Sequence, residues 1–413
     1  MNFLYADAGL ANNLGHHANS CRHIVSEAKR RGIPSAVLAY HQIEPELRDE
    51  LMAHPWFRCN VYGNYDPDPL CGWLNGFDFA AHITLEDFSR LQGVNRDDLI
   101  FLNSAGPSQF QAILSWVQSI PEEQRPTVII EFGHFSGLVP VQTANGIELA
   151  LTYQKEYESR PLLLRFVSKK FLTPADQSWL RLATFDPQAS AIYEKLLNFP
   201  VHVLPLSNST LTNSRNRTGI RPITVAFIGH QRLEKGFGLV PEVVGRLLSL
   251  VPDVRILVHN GAPDFCSDQQ NQLRAIAAGD PRLILDERTA GADLWGQVLE
   301  QSDLIVCPYF RDVFASTYSA IASEAIANAI PLVVPSRTTL ANLVEQFGSP
   351  GLVYDDPSDY ANADVVLQAI LAALQNFDSL AARAKLASQQ WDALYGPPRL
   401  LDTMLAWHHG RTR

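Results

Sequence analysis

The chain has 413 residues, 46% of them hydrophobic and 18% charged, with 43 acidic against 33 basic side chains and a net charge of −10. That length predicts two domains or more, each with its own core. The acidic balance argues against a nucleic-acid binder, which needs a basic face, and against docking on anionic lipid except through a local basic patch, so a peripheral membrane contact stays open.

In chain order, short apolar runs alternate with amphipathic stretches. Strands are predicted at Asn2–Tyr5, Ala36–Tyr40, Leu99–Asn103, Thr127–Phe132, Leu162–Val167 and Val201–Leu204, with helices between them such as Asn19–Arg31 and Gln109–Ser119. Continuous apolar strands alternating with helices indicate a parallel sheet covered on both faces. The polar run Ser207–Pro222 reads as a linker. After it the alternation restarts: strand Ile223–Ile228, helix Phe237–Leu250, strand Val254–Val258, helix Asp268–Ala278, strand Leu283–Leu285. Helix Ala292–Gln301, strand Asp303–Cys307, helix Ser319–Ala329 and strand Leu332–Val334 follow, then a largely helical tail. The expected organisation is a first Rossmann-like domain over 1–206, a linker over 207–221, a second over 222–390, and a C-terminal helix over 391–413 packing back on the first.

Five scattered cysteines without paired spacing fit free thiols in a reducing compartment. The start, MNFLYADAGL, carries no positive leader, and no apolar run approaches the roughly 20 residues that span a bilayer. The expected location is cytoplasmic.

Two segments carry the chemistry. Phe227 to Gly236, FIGHQRLEKG, lies between a strand and a helix; Gly229 permits a sharp turn, and Arg232 and Lys235 put two cations near a helix start, where a diphosphate sits well. The second, Cys307 to Pro335, reads as a strand, a polar loop with Ser316, Tyr318 and Ser319, an Ala-rich helix with one carboxylate, Glu324, and a further strand. Unpaired N–H groups at that helix start suit phosphate, and a carboxylate one to two turns in reaches the hydroxyls of an attached sugar. A charged surface turn and a single capping Glu are the plain structural readings of the same residues.

Together the two segments, about Ile223 to Pro335, resemble the second half of GT-B fold nucleotide-sugar glycosyltransferases, in particular the large retaining family with a Glu-x7-Glu signature. The resemblance implies two Rossmann-like doubly wound domains facing a cleft. It matches Glu324 to the second Glu, which holds the ribose, and Arg232 and Lys235 to the diphosphate pair. It sets Tyr318 and Ser319 where the family has Phe-Gly, with their amides toward the donor. Ser316 stands in place of the first Glu, which contacts the donor sugar. In the first half, Leu14-Gly-His-His17 falls where the family has a glycine-rich loop under the donor phosphate, implying close approach at Gly15 and a phosphate or base role for His16 or His17. His134, after Thr127–Phe132, matches a His that bonds the donor sugar, and Glu131 beside it is a base if the reaction inverts.

The implied activity is transfer of a sugar from a UDP- or GDP-sugar to a glycan, lipid-linked or small-molecule acceptor, with retention. It needs no metal and no cofactor beyond the donor. Asp66-Pro-Asp68 reads as a turn in its Gly-Asn-Tyr context rather than a metal motif. The aromatic group Trp56, Phe57, Tyr62, Tyr65, Trp73, Phe77 and Phe79 reads as core or as an acceptor platform. A nucleotide-sugar epimerase on the same fold, a phosphorylase, and a non-catalytic nucleotide- or glycan-binding protein are the other readings.

Overall fold

The computed structural model describes the chain except residues 14–15, 64, 67, 69, 144–145, 152–158, 212–214, 357–361 and 412–413. Its contacts divide it into two compact units. The first comprises Met1–Asn12, His17–Ser207 and Pro397–Arg413, the second Asn13–His16 and Asn208–Gly396.

The first unit's strands are β1 (Phe3–Asp7), β2 (Ser35–Tyr40), β3 (Ala53–Phe57), β4 (Leu99–Leu102), β5 (Thr127–Glu131), the hairpin β6 (Leu138–Thr143) and β7 (Gly146–Leu151), β8 (Leu180–Thr184) and β9 (Val201–Val203). Among the described residues the main sheet has seven strands in the order β3-β2-β1-β4-β5-β8-β9, all parallel. Every residue of β1, β4 and β5 is buried, as strands covered on both faces must be. The helix Pro397–Arg411 belongs to this unit: Arg31 pairs with Asp402, and Thr127 Oγ1 lies 2.8 Å from His408 Nδ1.

The second unit holds β10 (Ile223–Phe227), β11 (Val254–His259), β12 (Leu283–Asp286), β13 (Leu304–Val306), β14 (Leu332–Pro335) and β15 (Gly351–Tyr354). They form a six-stranded parallel sheet in the order β12-β11-β10-β13-β14-β15. The helix Val240–Leu250 buries Val240, Val243, Val244, Leu247 and Leu248 on one stripe. In both sheets the strand order reverses beside the first strand, between β1 and β4 and between β10 and β13. That reversal opens a crevice at the carboxyl ends of these strands, where ligands of such sheets bind.

One expected strand is a helix. Leu162–Val167 lies inside the helix Ser159–Phe171. Pro161, Leu163, Leu164, Val167 and Ser168 are buried while Leu162 and Phe166 are exposed, so the burial has helical period although the letters read as one apolar run. Within the expected linker over 207–221, of which 212–214 lie outside the described residues, two side chains are packed. Arg217 is buried and donates to the carbonyls of Leu299, Ser302 and Asn328, and Asn208 is buried with it.

Candidate functional site

In the second unit the loop after β10 and the segment after β13 pack against each other. Gly229 has φ +108, and a methyl there would stand 3.0 Å from Ile321 in the first turn of the helix Ala320–Ala327. Gly236 has φ +70, and a methyl there would overlap the carbonyl of Pro308. Glycine is required at both positions, by conformation and by space. The Phe310 N–H donates to the Glu234 carbonyl (2.9 Å), tying the two segments together.

That packing sets Lys235 above the ring of Tyr309, 5.6 Å from its centroid. Among the described residues its ammonium makes no ion pair. Burial, then the neighbouring Arg232 charge, pushes its pKa down to about 8. Arg232 is half exposed, 3.7 Å from Glu234 and 5.9 Å from the Phe265 ring. Burial, reinforced by the same two cations, pushes the pKa of His230 down to about 4, and its Nε2 is buried without a hydrogen-bond partner. This corner therefore concentrates positive charge in a desolvated place, with Glu234 as a nearby acid that forms no ion pair with Lys235.

Glu324 sits in the middle of the helix Ala320–Ala327 and is buried. Its Oε2 accepts from the Trp295 indole N–H (2.6 Å) and its Oε1 from Asn208 Nδ2 (3.2 Å). Burial pushes its pKa up to about 7 against the pull of those two donors. A carboxylate offers about four acceptor positions, so room remains for hydroxyl donors. Asn208 Oδ1 in turn accepts from Tyr318 O–H (2.9 Å) and Ser323 O–H (2.6 Å). Ser319 is the residue before the helix, and its side chain makes no capping bond. Ser316 is buried. The structure thus packs the loop that holds Gly229, Arg232 and Lys235 against the segment after β13 that holds Tyr318, Ser319 and, within its helix, Glu324. Asn208 and Trp295 were not foreseen: one lay in the supposed linker, and nothing local marks a Trp as a donor to a distant acid.

In the first unit a second polar cluster gathers at the ends of β1, β4 and β5. Asp7 accepts from the Gly9 N–H (2.8 Å), from Asn103 Nδ2 (2.8 Å) and from His17 Nδ1 (2.9 Å). With Nδ1–H given to Asp7, the other ring nitrogen of His17 accepts from the Tyr62 hydroxyl at 2.7 Å. Glu131 is fully buried and accepts from the Ser104 N–H (2.8 Å), while its Oε1 has no partner. Burial, reinforced by the nearby Asp7 charge, pushes its pKa up to about 8. His134 Nε2–H donates to the Ser104 carbonyl (3.0 Å), and its ring meets that of Tyr62 edge-on at 5.2 Å. His16 opens the helix His16–Arg30 and is partly buried, and Gly15 lies outside the described residues. Asp66 and Asp68 each accept a backbone N–H two residues on, the bonds of a turn. Of the aromatic group, Phe57 and Phe77 are core while Tyr62, Trp73 and Phe79 are exposed.

No family model matches the sequence, and no curated protein matches it. Solved structures do match along its whole length. A sucrose-phosphate synthase of Thermosynechococcus elongatus is similar with a TM-score of 0.67 at 12% identity, covering 99% of each chain. A glycosyltransferase of Rickettsia africae is similar with a TM-score of 0.62 at 10% identity, covering 100% of this chain and 98% of its own. The Anabaena protein HepE, solved in complex with UDP, has a TM-score of 0.61 at 12% identity, covering 99% and 100%. The chain has the fold of these proteins, the GT-B fold with its two parallel-sheet α/β domains.

Proposed function

We propose that this chain is a glycosyltransferase that binds a nucleoside diphosphate sugar on its second unit and transfers the sugar to a hydroxyl acceptor. The observation that carries the proposal is Lys235. It is a desolvated ammonium that makes no ion pair among the described residues, at the strand ends beside the reversal of the second sheet, so the free protein holds a cation that an anion would satisfy. The diphosphate docks on Lys235 and Arg232 and on the backbone N–H groups at the start of the helix Ala320–Ala327. Glu324, steadied by Trp295 and Asn208, accepts hydrogen bonds from the ribose. The same cations stabilise the charge that grows on the leaving diphosphate as the sugar bond breaks, which supplies much of the rate.

The likeness to HepE, solved with UDP and with UDP-glucose, supports a UDP-sugar as donor. Retention is the outcome we favour, because Glu131 is fully buried and accepts from the Ser104 N–H, and so is not open to an acceptor hydroxyl as a base for inversion. His134 and His16 are the proposed catalytic residues, and a glycan, lipid-linked or small-molecule hydroxyl is the proposed acceptor.

A thermal-shift screen with UDP, GDP and ADP tests the donor site. A ligand at about 100 times its dissociation constant stabilises by roughly 2.7 kcal/mol. UDP is expected to stabilise the wild type, and Glu324→Ala to lose most of that shift. An undiminished shift in the variant would remove Glu324 from the site.

A further inference from the structure

The chain is acidic overall, yet one helix of the first unit carries charge of the other sign. The helix Ser159–Phe171, SRPLLLRFVSKKF, contains Arg160, Arg165, Lys169 and Lys170 and no acid. Its buried face is Pro161, Leu163, Leu164, Val167 and Ser168, the part that covers the sheet. Its outer face is Leu162, 56% exposed, Phe166, 48% exposed, and the two lysines, all exposed. Positions 162, 166, 169 and 170 follow the i, i+4, i+7, i+8 spacing of a single helical stripe. The outward stripe is therefore apolar at one end and doubly cationic at the other.

Nothing described on the protein neutralises that stripe. Neither lysine makes an ion pair among the described residues, and Lys170 Nζ instead lies 5.4 Å from the Phe166 ring and 5.1 Å from the Phe171 ring. Arg165 gives its guanidinium to the Leu196 carbonyl, an uncharged acceptor. Exposed Leu and Phe beside flexible lysines is the composition that seats a helix at a lipid headgroup boundary: the apolar side chains enter, and the ammonium groups stay at the phosphates. The other exposed apolar group, Leu70, Trp73 and Leu74, lacks this complement, since Asp66 and Asp68 stand beside it. Among the described residues no single helix is long and apolar enough to cross a membrane.

We propose that the outer stripe of the helix Ser159–Phe171 docks the protein on an anionic phospholipid surface, with Leu162 and Phe166 inserted and Lys169 and Lys170 on the headgroup phosphates. The proposal does not rest on the sugar-transfer reading. Co-sedimentation of the full chain with vesicles tests it, using phosphatidylcholine alone and equal parts phosphatidylcholine and phosphatidylglycerol. The wild type is expected to bind the anionic vesicles and not the neutral ones, and to release as salt rises. Lys169→Glu with Lys170→Glu should weaken that binding by about tenfold or more, and Leu162→Ser with Phe166→Ser by a similar factor. These four side chains are exposed, so circular dichroism of the variants should match the wild type. No binding to anionic vesicles, equal binding to neutral ones, or undiminished binding by the lysine variant would overturn the proposal.

Discussion

At the reversal of the first sheet, Asp7 receives hydrogen bonds from Gly9, His17 and Asn103, and His17 passes the chain on to Tyr62. At the reversal of the second, Lys235 has an aromatic ring beneath it and makes no ion pair among the described residues. The two places are equivalent in topology, yet one carries a network of hydrogen-bonded polar groups and the other a desolvated cation without an ion pair among the described residues. A hydrogen-bonded network contributes to the stability of its own unit, whereas a desolvated charge without an ion pair costs stability and is retained for what it binds.

The sharpest way to break this comparison is to cut the hydrogen-bonded network. Asp7→Ala takes the acceptor from two buried donors, on His17 and Asn103, and from the part-buried Gly9 N–H, and is expected to cost about 3–5 kcal/mol in urea unfolding of the first unit. UDP affinity should not change, and a matching loss of nucleotide binding would contradict the separation of roles. Next is Glu131, whose pKa is raised to about 8 by burial. The folded protein binds this proton more tightly than the unfolded chain, so its stabilising contribution is full below the ordinary carboxylate range and is lost as pH rises through about 8. Glu131→Gln removes that dependence. Relative to wild type the variant should gain on the order of 2–4 kcal/mol between about pH 5 and pH 8, read as the difference in melting temperature at the two values.

The smallest effect has the opposite sign to ordinary expectation. Lys235→Met removes a desolvated cation and keeps the volume, so at neutral pH it should stabilise the second unit by about 1–2 kcal/mol. The folded pKa lies below the unfolded one, so wild-type stability rises with pH above about 8. The variant's advantage should therefore shrink in alkali, and a destabilised variant would mean that the lysine is already satisfied within the protein.

The fold was largely legible because its strands are buried on both faces. Runs such as Thr127–Glu131 and Ile223–Phe227 stand out by continuous apolar content alone. The same rule misread Leu162–Val167, where exposed Leu162 and Phe166 fill the polar side of a helix with apolar letters. Those are the residues of the lipid-facing stripe, so the misreading and the proposed docking surface share one cause. The second-unit site was legible where glycine and cations punctuate a loop, at Gly229, Arg232 and Lys235. Its hydrogen-bond frame was not. Asn208 and Trp295 reach Glu324 from 116 and 29 residues away in sequence, a distance over which no local pattern operates.

Calorimetric titration of UDP into the wild type and into Lys235→Met tests the central claim most directly. The account predicts measurable binding to the wild type, an affinity that falls as pH rises past about 8, and a loss of about tenfold to a hundredfold in the variant. Equal affinity in the two proteins would contradict it.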